Sequence, residues 1–275
     1  MKQNICIYTT GRSGSNYLGS FIEMPEYTLL NEPFTLGNKY NLRQFITGLG
    51  LLFQQNKIDL PQLKDLLYLT IETQQQKSCI KTKLLTSEIL VLWFNSIQEE
   101  KSTNILWKFM VWYNDLYSMN IVDIFDNIDY LILNYRKNIL KQWISFVKAT
   151  TTGEWVTHKD SINKDIKIQW NKTLYLQFVK DRERYHNLMK TNFIQFNKPK
   201  TVVCYEELLS RDNKKQYLYN LFQKSSIDLP INDYSPLKQQ SNSKKPIEEN
   251  FLNRQEFLDD YNDIKDTIMT KIVFD

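Results

Sequence analysis

Asn4-Ile5-Cys6-Ile7-Tyr8-Thr9-Thr10-Gly11-Arg12-Ser13-Gly14-Ser15-Asn16-Tyr17-Leu18 reads as a strand, a glycine turn and the start of a helix. Residues 4–10 are a short apolar run rich in strand formers, closed at Gly11. A helix then begins near Ser15 or Asn16, with Leu18, Phe21 and Ile22 on its inner face. Strand, glycine loop and helix in that order open a parallel α/β sheet. Three of the seven glycines, Gly11, Gly14 and Gly19, cluster at this junction. Glycine there permits positive φ and close approach of the backbone to a ligand. Successive N–H groups at a helix N-terminus form a concave anion site. Arg12 adds a charge that pairs with phosphate or sulfate oxygens, and the hydroxyls of Ser13 and Ser15 add donors. A Gly/Ser turn with no ligand is the plainer alternative.

Outward from the turn, a second short strand at 27–30 ends in Asn31-Glu32-Pro33-Phe34. Residues 40–100 look helical, with apolar groups at helical spacing in 60–71 and 87–97. Strand signals return at 105–111 and 130–135, the latter followed by an amphipathic helix from about Asn138 to Ala149. Residues 201–205 are another strand, followed by a helical 206–209; between, 151–195 is polar, aromatic and mostly helical. A long irregular stretch at 225–250 precedes a final helix at about 253–272. With no repeat and no convincing linker, 1–275 is expected to be a single α/β domain with a central parallel sheet flanked by helices.

Hydrophobic residues make up 42% and aromatics 13% of the chain, which is a globular and not a disordered composition. A net charge of +4 argues against a dedicated nucleic-acid binder and leaves room for a local basic pocket. Cys6, Cys79 and Cys204 are too few and too scattered for a disulfide framework or a metal cluster, and read as reduced thiols. No stretch reaches the roughly 20 apolar residues that span a bilayer, and no signal peptide precedes the first strand. A soluble, cytoplasmic protein is expected.

The Gly-Lys-Ser/Thr of a Walker A loop is absent, because Gly14 is followed by Ser15-Asn16. No Mg²⁺ ligands are assignable and no metal is expected. An anion loop without evident metal chemistry points to a preformed activated donor. GRSGSNYL (11–18) followed by LLNEPF (29–34) resembles the carbohydrate sulfotransferase superfamily, over residues 5–36. That resemblance implies a P-loop-like strand-loop-helix site for the 5′-phosphosulfate of 3′-phosphoadenosine-5′-phosphosulfate (PAPS), formed by Gly11, Arg12, Ser13, Gly14, Ser15, Asn16 and Tyr17.

The resemblance also implies a 3′-phosphate pocket at a strand end, made by an Arg and a Ser about two helical turns later. Tyr135-Arg136-Lys137 and Ser145 fit in kind. The usual separation is matched by Lys137, with Arg136 one residue further out; Arg136 is favoured because a planar guanidinium binds phosphate bidentately. Lys238, in the irregular segment, is a weaker third candidate by the same resemblance.

Sulfuryl transfer needs a base within reach of the acceptor and cations that stabilise the leaving phosphate. Glu32, at a strand end before Pro33, is the candidate base, with Arg12 as catalytic cation. His158 and His186 sit in the polar helical region and read as exposed or locally paired. Lys108 interrupts an apolar strand, pointing either into the cleft or to solvent. Trp155, Trp170, Tyr175 and Tyr185 either stack on an acceptor or belong to the core. The expected reaction is transfer from PAPS to a hydroxyl of a small-molecule or glycan acceptor, without nucleic acid or membrane span. A metal-dependent nucleotide kinase and a non-catalytic nucleotide-binding module are the alternatives.

Overall fold

A computed structural model describes residues 3–22, 25–30, 39–76, 82–101, 103–153, 166–232, 246–272 and 274. In chain order the first elements are β1 (Asn4–Thr9), α1 (Ser15–Ile22), β2 (Tyr27–Leu30), α2 (Lys39–Gln54), α3 (Leu60–Gln76), β3 (Thr82–Thr86), α4 (Ser87–Lys101) and β4 (Asn104–Met110). There follow α5 (Tyr113–Leu116), β5 (Tyr117–Ser118), β6 (Tyr130–Tyr135), α6 (Ile139–Thr152), α7 (Lys172–Gln195), β7 (Lys200–Cys204), α8 (Tyr205–Ser210), α9 (Lys214–Lys224) and α10 (Arg254–Ile264).

Five strands form one parallel sheet in the order β2-β4-β1-β6-β7. The expected α/β architecture with a central parallel sheet flanked by helices is the observed one. Both faces are covered, so β1 is buried along its whole length and carries no polar alternation. Cys6, Tyr8, Trp107, Phe109, Leu131 and Leu133 pack under α2, α4 and the C-terminal part of α7. Ile5, Ile7, Leu106, Ile132 and Val203 face α1 and α9 on the other side. Asn192 of α7 donates from Nδ2 to Tyr8 Oη at 3.0 Å, which ties the long helix to the central strand.

The chain leaves β1 toward β2 and leaves β6 toward β7, on opposite sides of the sheet. The carboxyl ends of β1 and β6 therefore flank a topological switch point, where open α/β sheets form a crevice. The turn at Gly11 and the basic pair at Arg136 lie at these two ends.

Several boundaries differ from the expectation. The last helix stops at Ile264 and not near 272, because the following chain bonds to the corner between β6 and α6: Ile139 N–H donates to Ile268 O at 2.7 Å and Thr270 N–H to Lys137 O at 2.9 Å. A small parallel pair, β3 with β5, interrupts the region read as wholly helical. Helix α9 occupies a stretch given no element in the sequence. Among the described residues, no helix is long and apolar enough to cross a membrane.

Candidate active site at the carboxyl edge of the sheet

Residues 10–14 link β1 to α1, and two of them lie in the left-handed region: Arg12 at φ 63° and Gly14 at φ 81°. Such reversals turn successive N–H groups toward one side of a turn. A side chain at Gly14 is barred by its neighbour as well, since a Cβ there lies 2.1 Å from Tyr205 Cδ2. Arg12 has a Cβ and no such licence. Its conformation is held from α6, where Gln142 Nε2 donates to Gly11 O at 2.7 Å and to Thr10 Oγ1 at 3.0 Å. The Arg12 Nε–H donates to Ser145 Oγ at 2.9 Å.

The underside of the turn is a closed polar network. Ser13 Oγ donates to Thr10 O at 2.6 Å, touches Thr9 Oγ1, and lies 3.2 Å from Asn134 Oδ1; Asn134 Nδ2 donates to Val203 O at 3.3 Å. The Ser13 hydroxyl, expected to serve a ligand, is instead fully buried in this network. What Ser13 offers outward is backbone. Ser15 is buried, and Asn16 and Tyr17 are half-buried on the first turn of α1. Gly14 O accepts from Leu18 N–H at 2.9 Å, the first bond of that helix.

The second basic element is resolved by direction. Arg136 turns inward: its guanidinium lies 5.0 Å from the centre of the Tyr205 ring, and Nη1 approaches Arg12 O at 3.5 Å, the outer limit of a hydrogen bond. Its Nε is 3.4 Å from Glu206 Oε1, an ion-pair distance without hydrogen-bond geometry. Burial lowers the Arg136 pKa, and Tyr205 and Glu206 offset part of that. Lys137 turns outward and pairs with Glu207 at 2.5 Å, both side chains being substantially exposed. Arg12, Arg136 and Ser145 are thus brought together, and Lys137 stands aside.

Glu206 also receives the Lys137 N–H at 2.9 Å and the Asn138 N–H at 3.1 Å, so one carboxylate braces the whole 136–138 corner. Asn138 caps α6 by accepting from Lys141 N–H at 2.7 Å. Tyr205 and Glu206 begin the helix after β7, and no local motif places them here. Their only signal is position, directly after a parallel strand.

Lys108 is neither a strand-edge nor a solvent lysine. It is 1% exposed in the strand between β2 and β1, and its Nζ reaches Asn16 Oδ1 on α1. Its stem runs beside Gly19, so a buried ammonium arrives at the first turn of α1, the helix that follows the glycine turn. Trp170 and Tyr175 belong to the core around Trp143. Tyr185 is half-buried and donates to Asp115 Oδ2 at 2.7 Å. His186 is completely buried, against the expectation of an exposed or locally paired histidine; Tyr135 and Phe274 enclose its ring. Cys6 and Cys204 are buried thiols. Glu32, Lys238, Trp155, His158 and Cys79 lie outside the described residues.

The site can hold an oxyanion against the turn and a second one near Arg136 and Ser145, with two guanidinium groups fixed by neighbours that do not depend on a ligand. No protein-family model matches the chain, and no curated protein matches it significantly.

Proposed function

We propose that the chain is a sulfotransferase that moves a sulfuryl group from PAPS to an acceptor hydroxyl, probed most naturally with carbohydrates, and releases adenosine 3′,5′-bisphosphate. The observation that carries this reading is the meeting of Arg12, Arg136 and Ser145 at the switch point, across a turn with two left-handed residues. A donor with phosphate groups at both its 5′ and 3′ ends matches two guanidinium groups braced by different partners, Arg12 by Ser145 and Arg136 by Glu206, better than a nucleotide with one phosphate chain. The residues present fit that donor: backbone and Arg12 against the 5′ end, Arg136 and Ser145 against the 3′-phosphate.

In the reaction, the acceptor oxygen bonds to sulfur as the bond from sulfur to the bridging phosphate oxygen breaks. The acceptor proton passes to the base, and the bridging oxygen takes up negative charge, which Arg12 offsets. Glu32 is the proposed base; it follows β2, whose carboxyl end lies on the same edge of the sheet as the turn.

Arg12→Ala is expected to weaken binding of adenosine 3′,5′-bisphosphate by roughly 10–100-fold, the range for losing a charge-assisted bond, with an unchanged circular dichroism spectrum. Normal affinity in that variant removes the loop from the donor site. Glu32→Gln should keep bisphosphate binding and lose transfer of labelled sulfate. An active Glu32→Gln protein excludes Glu32 as the base.

A further inference from the structure

Arg182 lies on α7 and is 7% exposed, yet its Nε and Nη1 have no hydrogen-bond partner among the described residues. The guanidinium is stacked 4.4 Å from the centre of the Phe178 ring and 5.6 Å from that of Tyr185. Its plane is therefore fixed while Nε and Nη1 on its edge are unpaired. Desolvating a guanidinium whose N–H groups lack acceptors is strongly unfavourable, the nearby Asp181 and Tyr185 offset only part of that, and an anion would complete the group.

One turn along the same face is His186, fully buried, with Nε2 also unpartnered. Its Nδ1 lies 3.2 Å from Thr270 Oγ1, and that oxygen already accepts from Ile272 N–H at 3.3 Å. The Thr270 hydroxyl proton is thus best given to Nδ1, which leaves the imidazole proton on Nε2 as a donor. Burial and the neighbouring Arg182 push the His186 pKa down to about 4, so the ring is neutral at pH 7. Arg182 and His186 together present N–H groups and no acceptor, which is the chemistry of an oxyanion site.

The position fits the cleft. Asn192, further along α7, reaches Tyr8 near the carboxyl end of β1, and α7 then runs on to the start of β7, so Arg182, earlier on the helix, lies at the carboxyl edge of the sheet. The His186 ring is 6.3 Å from Tyr135 at the end of β6. Beside Arg182, Tyr185 bonds to Asp115 of α5, the element that follows β4. Arg182 is therefore framed by segments leaving the carboxyl ends of β4 and β6, the edge that carries the turn at Gly11.

We infer that Arg182, with His186, forms an oxyanion-binding site on the acceptor side of the cleft, taking a carboxylate or sulfate-ester group carried by the molecule to be sulfated. The word acceptor rests on the sulfotransferase reading; the oxyanion site itself does not.

The test measures melting temperature with sodium glucuronate, glucose 6-sulfate and glucose, in wild type, Arg182→Met and Arg12→Ala. Wild type and Arg12→Ala are expected to rise saturably with one or both charged sugars and not with glucose; which sugar acts separates carboxylate from sulfate ester. Arg182→Met should lose the response and, freed of an unpaired buried charge, melt no lower than wild type without ligand. A retained response in Arg182→Met, or none in wild type, overturns the site. Should Arg182→Met fail to fold, Arg182→Lys decides: roughly tenfold weaker binding supports the site, because lysine lacks the planar fork, and unchanged binding overturns it. No arm uses a nucleotide. Loss of this site with normal bisphosphate binding leaves the donor reading standing, and the reverse result leaves only the oxyanion site.

Discussion

Arg136 lies over the Tyr205 ring within 3.4 Å of the Glu206 carboxylate, whereas Arg182 is stacked between Phe178 and Tyr185 with no ion pair among the described residues. The Arg136 corner is further tied by two backbone N–H groups on Glu206 and by the Arg12–Ser145 bond, so its geometry exists before any ligand arrives. On the same face as Arg182 lies His186, itself lacking a partner at Nε2 among the described residues. A preformed corner suits a donor common to every turnover. An unpaired cation suits a group that varies with the acceptor, and it is the more costly arrangement in the free protein.

The largest effect that breaks this contrast is expected at the preformed corner. Gly14→Ala forces a Cβ into the Tyr205 ring at a residue with φ 81°. Overpacking costs roughly 1–3 kcal/mol and a left-handed alanine about 1–2 kcal/mol more. A melting temperature lowered by several degrees together with lost bisphosphate binding is expected; an unchanged value denies that Tyr205 closes on the turn.

Next in size is the acid limb of stability. The folded pKa of His186, about 4, lies below its unfolded value of 6.5, so the unfolded chain binds the extra proton between them. Stability therefore holds above pH 6.5 and falls as pH drops toward 4, by an amount on the order of 3 kcal/mol for this group. Urea melts of wild type and His186→Gln across that range should differ in slope. Parallel curves mean that the ring is not buried as described.

The smallest effect is predicted for Lys137→Ala. Its pair with Glu207 is exposed, and such pairs contribute about 0–1 kcal/mol. Bisphosphate affinity should change by less than about threefold, against a loss of tenfold or more in Arg136→Ala. Equal losses in the two variants return Lys137 to the 3′-phosphate.

The strands were readable because parallel strands covered on both faces appear as mainly apolar runs: 4–9, 104–110, 130–135 and 200–204 stand out despite Lys108 and Lys200. The turn was readable because its glycines are local. What escaped depends on contacts between distant segments. Helix α9 buries only Leu218 and Phe222, too thin a stripe to stand out from its lysines and glutamine. Nothing near Tyr205 reveals that it lies against Gly14, and nothing near Glu206 reveals the corner at 136–138. The choice between Arg136 and Lys137 is a choice between inside and outside of a strand end, made by where Glu206 and Glu207 stand. Arg182 and His186 occur in a charged helix and look like its solvent face; Thr270 and Phe274, from the tail of the chain, help to bury His186.

The most direct test of the central claim is a thermal-shift comparison of adenosine 3′,5′-bisphosphate with ADP, each with and without Mg²⁺. Arg12 and Arg136, each fixed at the switch point by its own partner, predict selective, Mg²⁺-independent stabilisation by the bisphosphate, reaching about 2.7 kcal/mol at a ligand concentration 100 times Kd. Equal or greater stabilisation by ADP, dependent on Mg²⁺, contradicts the sulfotransferase reading and favours phosphoryl transfer.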